Sequence, residues 1–166
     1  MPEEIIHKMA HADQYTIVKA DSTNICDAAR VHSVSWTESH KAFCTPEFVA
    51  LHTPERQKNY LQGKMDHGTD VFMLLDGMPV GIVSVTGSLI EDLYVDPAFQ
   101  NRGYGTALLK YAIRRCKGTP TLWILENNLR AARLYRRMGF RETGNRNHIT
   151  NGLDEIEFSL RTETEL

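Results

Sequence analysis

Three strands are crowded between Val71 and Val95. Val71-Phe72-Met73-Leu74-Leu75 runs into the turn Asp76-Gly77, Met78 to Thr86 runs back, and Leu89 to Val95 follows almost at once, closed by Asp96-Pro97. The first two form the clearest hairpin of the sequence, residues 71 to 86, and the third is a further strand. Around it the signals alternate. Tyr15 to Lys19 and Thr121 to Leu125 read as strands. Asp21-Ser22-Thr23 offers N-cap side chains for a helix running to about Ser39, with Ile25, Ala29, His32 and Trp36 on one stripe. Thr45-Pro46-Glu47 and Thr53-Pro54-Glu55 are two further helix starts, each with a cap, a proline and an early acid. Thr106 to Cys116 and Arg130 to Met138 have helical spacing, the second stopped by Gly139. Asn151-Gly152 marks the turn of a last hairpin, and Arg161 to Leu166 reads as a tail. The order β-α-α-β-β-β-α-β-α-β-β predicts a mixed α/β fold with helices on both faces of one sheet.

The chain has 166 residues, the length of one domain, with a core expected from about 15 to 160. A net charge of -2 argues against a dedicated nucleic-acid or membrane-surface protein. No apolar run approaches a membrane span, and the start Met-Pro-Glu-Glu is acidic where a signal peptide is basic. Cys26, Cys44 and Cys116 are odd in number and lack metal-ligand spacing, which implies no metal and a reducing cytoplasmic compartment. Charge is unevenly spread. Gln100 to Arg146 holds 11 basic and two acidic residues, whereas the chain before Gln100 holds seven basic and 14 acidic. The basic stretch suits an anionic ligand, and the acidic part suits a cationic amine.

The decisive segment is Gln100-Asn101-Arg102-Gly103-Tyr104-Gly105-Thr106, set between a strand and a helix. Glycines allow the backbone to bend and approach a ligand, the helix start presents free N–H groups to an anion, and Arg102 adds charge. It lacks the third glycine of a Rossmann fingerprint and the Gly-Lys-Ser/Thr of a P-loop.

Gln-x-x-Gly-x-Gly after Leu93-Tyr94-Val95-Asp96-Pro97 resembles the acetyl-CoA pyrophosphate loop of the GNAT (general control-related N-acetyltransferase) superfamily. A second signature follows in order: Asn128-x-x-Ala131-x-x-x-Tyr135-x-x-x-Gly139-Phe140. The resemblance implies one N-acetyltransferase domain over residues 1–166. Its sheet would be mixed and mostly antiparallel, with a V-shaped splay between the strands near 89–95 and 121–125. Acetyl-CoA would be the co-substrate, its pantetheine arm lying along Leu93, Tyr94 and Val95. The pyrophosphate would sit on the amides of Gln100, Asn101, Arg102, Gly103, Tyr104, Gly105 and Thr106, assisted by the side chain of Gln100 or Arg102. Asn128 would hold the pantetheine chain or cap the next helix, beside Ala131. Tyr135 would protonate the leaving thiolate, or it would simply pack on the sheet. No nucleic acid or membrane enters this picture, and a homodimer is compatible with it.

An amine nucleophile also needs a base, because only about one primary amine in 2,500 is neutral at pH 7. Some family members place a carboxylate at the position of Leu89, which is aliphatic in this sequence. On an alternating strand Leu89, Glu91, Leu93 and Val95 share a face and Asp92 points the other way. Glu91 is then either the base or a structural residue, and Asp92 a paired or solvated one. The expected function is acetyl transfer from acetyl-CoA to a primary amine by direct attack in a ternary complex. A non-catalytic acyl-CoA-binding regulatory module is the alternative.

Overall fold

The computed structural model describes residues 14–150 and 152–161. The elements are β1 (Thr16–Lys19), α1 (Ile25–His40), α2 (Pro46–Ala50), α3 (Pro54–Asp66), β2 (Asp70–Leu75), β3 (Pro79–Thr86), β4 (Leu89–Val95), α4 (Tyr104–Arg115), β5 (Thr121–Leu125), α5 (Leu129–Arg137), β6 (Phe140–Thr150) and β7 (Leu153–Leu160). A single 3-10 turn, Pro97–Phe99, follows β4. The strands form one sheet in the order β1-β2-β3-β4-β5-β7-β6, antiparallel throughout except where β4 meets β5.

The sheet separates two apolar clusters. Leu108, Leu109 and Ala112 of α4 and Ala132 and Tyr135 of α5 pack on one face with Val80, Val83, Ile90, Leu122 and Phe158. Ile25, Ala28, Ala29 and Val31 of α1 and Leu61 of α3 pack on the other with Val71, Met73 and Ile82. Helices thus cover both faces, as the mixed periodicities predict.

Local chemistry explains most boundaries. Thr45 and Thr53 each accept a hydrogen bond from the backbone N–H three residues on, Phe48 and Arg56, with proline next in the chain. These starts were legible, but three helices, not two, lie between β1 and β2. The cap of α1 differs from expectation. Asn24 occupies it without a side-chain capping bond, while the Asp21 carboxylate is turned back onto the N–H and hydroxyl of Thr23. Helix α4 begins at Tyr104, two residues ahead of Thr106, because Gly103 in the left-handed region (φ 87°) turns the chain directly into it. Thr150 pairs with Leu153 across the last hairpin, whose Asn151 lies outside the described residues. Among the described residues no helix is long and apolar enough to cross a membrane.

Candidate functional site

The parallel ladder between β4 and β5 contains two pairs, Leu89 with Thr121 and Ile90 with Leu122. Beyond Ile90 the strands part. A cleft of about 260 Å³ opens in the gap, walled by Glu91 to Tyr94, by Leu122 to Leu125, and by Asn128, Ala131 and Tyr135. Backbone groups on this edge of β4 have no strand partner among the described residues, so they are free to meet an extended ligand.

A bulge accompanies the fork. Ser84 pairs with Glu91 and Ile82 with Tyr94, so both Asp92 and Leu93 stand opposite Val83. Asp92 takes φ 52°, uncommon for a residue with a side chain. An extra residue bends its strand and resets which way the following side chains point. The expected alternation therefore fails. Ile90, Leu93 and Val95 pack under α4 and α5, and Tyr94 packs towards α1 and α3. Glu91 and Asp92, expected on opposite faces, both bond the ammonium of Lys64 on α3, at 3.0 and 2.7 Å.

Asp92 is the centre of this polar cluster. One oxygen accepts from Tyr60 at 3.1 Å and lies 3.2 Å from Nε2 of His32; the other accepts from Lys64 and, at 2.9 Å, from Ser84. Burial alone would raise its carboxyl pKa, but the His32 hydrogen bond and the Lys64 charge outweigh it and hold the group well below the carboxylate range. Burial and the Asp92 charge push the Tyr60 phenol up to about 12. Burial opposes the charge on Lys64, yet the Asp92 carboxylate prevails and raises it. Asp92 is thus ionised, fully engaged and a weak base.

Tyr135 is buried but borders the cleft, with its ring edge-on to Phe140 at 6.0 Å. Burial raises its phenol pKa further, so it stays protonated. The side chain packs in the core and keeps its phenolic proton beside the cleft. Asn128 accepts from the Ala131 N–H at 3.2 Å, the capping half of its expected role, while lining the cleft.

The loop after β4 is partly self-contained. Arg130 reaches back from α5 to donate to the Gln100 Oε1 (2.7 Å) and the Asn101 Oδ1 (2.9 Å). The Gln100 amide donates in turn to the Val95 carbonyl at 3.2 Å. The side chain of Gln100 thus ties the loop to β4 and α5. Arg102 is exposed, its guanidinium over the Phe99 ring at 5.2 Å. Tyr104 buries its side chain and donates to Asp76 in the β2–β3 turn, leaving only its backbone amide for a ligand. The amides of Tyr104, Gly105 and Thr106 begin α4 with no side-chain cap. Only Gly103 needs its glycine for the turn. A Cβ on Gly105 would meet Leu134 and Val95 at 3.7 and 3.8 Å, ordinary contacts.

On the α1 and α3 side of β4 lies a second cavity of about 320 Å³, lined by His32, Trp36, His52, Arg56, Gln57, Tyr60, Asp92 and Tyr94. Asp92 and Tyr94 border both cavities. Lys64, Tyr60, Ser84 and Gln57 escaped the sequence reading. The adjacent acids Glu91-Asp92 in an otherwise apolar strand were the available signal, since strict alternation would force one of them into the sheet's far face.

Residues 67–142 match the family model of the acetyltransferase (GNAT) domain. This part of the chain is similar to the GNAT superfamily. The matched stretch takes in the bulge, the fork and α5, which build the cleft, and the loop into α4. It is 35% identical over 66 residues to a peptidyl-lysine N-acetyltransferase, YjaB, of Salmonella typhimurium, covering 40% of this chain and 45% of that one. With an uncharacterized N-acetyltransferase of Archaeoglobus fulgidus it shares 29% identity over 136 residues, 72% of this chain and 88% of the relative. The chain spans less than half the length of two of its relatives, the Salmonella protein and one from Methanocaldococcus jannaschii, at 45% and 44%. Among solved structures, the PaiA N-acetyltransferase of Thermoplasma acidophilum in complex with coenzyme A superposes with a TM-score of 0.66 at 17% identity, over 89% of this chain and 99% of that one. The ribosomal-protein-S18-alanine N-acetyltransferase of Escherichia coli gives 0.65 at 23%, over 92% and 98%. At these identities the likeness is one of fold.

Proposed function

We propose that the protein is an acetyl-CoA-dependent N-acetyltransferase that serves a primary amine by direct attack in a ternary complex. The observation that carries this reading is the fork between β4 and β5, because it leaves strand backbone unpaired beside the protonated phenol of Tyr135, with the uncapped start of α4 following in the chain. Acetyl-CoA fits the chemistry of that lining. Leu93, Tyr94 and Val95 present backbone groups to an amide-bearing arm, and Asn128 and Ala131 flank it. The amides of Tyr104, Gly105 and Thr106, with Arg102, suit a pyrophosphate. Gln100, Asn101 and Gly103 give the loop its shape. When bound, acetyl-CoA supplies a thioester whose carbonyl carbon accepts the amine.

In this reading a β4 amide steadies the charge that gathers on the carbonyl oxygen, an effect worth roughly 10²–10³ in rate. Tyr135 gives its proton to the departing thiolate. Glu91 takes the proton lost by the amine, directly or through water. Its side chain is 40% exposed and engaged only by Lys64, whereas Asp92 accepts at both oxygens and is held too acidic for the task. We read residues 1–166 as one domain working in the reducing cytoplasm. The test is thiol release from acetyl-CoA by the purified chain across a panel of amines. Release that tracks an amine and gives its N-acetyl product supports an enzyme. Tight acetyl-CoA binding without turnover on any amine supports the regulatory module instead.

A further inference from the structure

The second cavity is furnished for one kind of acceptor. Gln57 is 3% exposed and lines the cavity. His32 lines the same space, and its Nδ1 is buried without a partner. A buried ring nitrogen left open beside a void that a buried carboxamide also lines points to a polar ligand, since burying such a group unpaired is costly. Tyr60, Tyr94 and the edge of Trp36 supply apolar wall. The faces of Trp36 are already covered, by His40 at 4.0 Å and His52 at 3.4 Å.

Charge narrows the class. The one carboxylate lining this cavity, Asp92, accepts four bonds and has no capacity left for a cation. Burial pushes His52 below its ordinary value, and nearby Arg56 adds to this, so the ring is neutral at pH 7. Arg56 lines the cavity, is exposed, and has no acidic partner among the described residues. The uncommitted charge is therefore positive. The acidic excess of the chain before Gln100 does not converge on this pocket, which counts against a polycationic acceptor.

Resting on the acetyltransferase reading, we propose that this cavity binds the acceptor and selects a small amino-carboxylate, with the carboxylate on Arg56, a polar group on Gln57 and the amine at the Tyr94 end, where the two cavities adjoin. A volume of about 320 Å³ suits a single amino acid and is too small for a folded peptide segment.

The test is calorimetric titration of the CoA-saturated protein with the common amino acids, their amides and their decarboxylated amines, with spermidine and a lysyl peptide alongside. At least one amino acid should bind about ten- to a hundredfold tighter than its own amide and amine, the range of a charge-assisted hydrogen bond. Arg56→Gln should erase that preference while leaving the amide's affinity unchanged, and Gln57→Leu should weaken both. The proposal is overturned if spermidine or the lysyl peptide binds best, or if the preference survives in Arg56→Gln. Binding is read without chemistry, so the two readings fail separately. Carboxylate preference without acetyl transfer sinks the enzyme and keeps the pocket; transfer to amines regardless of a carboxylate does the reverse.

Discussion

Replacing Lys64 by methionine probes the polar cluster where it is most constrained. The substitution keeps the length and apolar stem of the side chain and deletes its charge. Asp92, whose side chain is 8% exposed, then loses its only cationic lysine, while the His32, Tyr60 and Ser84 contacts remain. Breaking a buried pair from one side costs about 3–5 kcal/mol, and the three surviving contacts place this case at about 3. The Glu91 contact adds little, because that carboxylate is 40% exposed and screened by water. For a chain of this size the loss corresponds to roughly 6–12 °C in Tm. Its pH dependence has a definite sign. Asp92 is lowered from 3.8 in the folded state, so its contribution is present above that value and fades as pH falls through the folded one. Lys64 is raised from 10.5, so its contribution is complete below that value and is lost only as pH climbs beyond it. The destabilisation by Lys64→Met should therefore be largest between about pH 4 and 10.5 and shrink towards pH 2. Adding Asp92→Asn should recover part of it, since no uncompensated charge is then buried. Thermal unfolding followed by circular dichroism across pH reads all three effects. A Tm loss under about 2 °C at pH 7, or a loss that Asp92→Asn deepens additively, would refute the account.

Tyr135→Phe should fold normally and bind acetyl-CoA within a few fold, yet lose roughly 10²–10⁴ in kcat, measured by thiol release. Glu91→Gln should lose the acidic limb of the pH–rate profile and recover at high pH, where the amine deprotonates itself; an unchanged profile would place deprotonation elsewhere. Gly103→Val forces a branched residue to φ 87° and should cost about 1–3 kcal/mol together with acetyl-CoA binding. Gly105→Ala should fold at near-normal Tm, because its Cβ has room; any loss of acetyl-CoA affinity by calorimetry then reports how closely the ligand approaches.

Where local rules govern, the sequence was a good guide. Thr45-Pro46 and Thr53-Pro54 begin helices because their caps and proline act within one turn, and β4 and β5 have the bounds their apolar runs suggest. Tyr135, Asn128 and Ala131 meet at one cleft, as their spacing and the family resemblance imply. Glu91 was set on the wrong face, with Leu93 and Val95, because one extra residue in β4 is invisible to a period-two pattern: its signature lies in the pairing with β3, a contact distant in sequence. The tie between Gln100 and Arg130 was not legible, because nothing in the neighbourhood of Gln100 announces a partner thirty residues on. Lys64 and Gln57 sit on a helix whose polar residues look like an ordinary solvated face until the fold sets them against β4.

Asp92 and Tyr94 are a party wall: the same short run of β4 bounds the cavity at the fork and the cavity beneath α1 and α3. Two ligands separated by one strand's thickness cannot be thermodynamically indifferent to each other if either one stiffens or shifts that strand. Whatever factor the first ligand applies to the affinity of the second, the second must apply to the first. The coupling should be read on each ligand in the presence and absence of the other. A substitution in the wall that alters this coupling must alter it by the same factor for both ligands, whichever side its side chain touches.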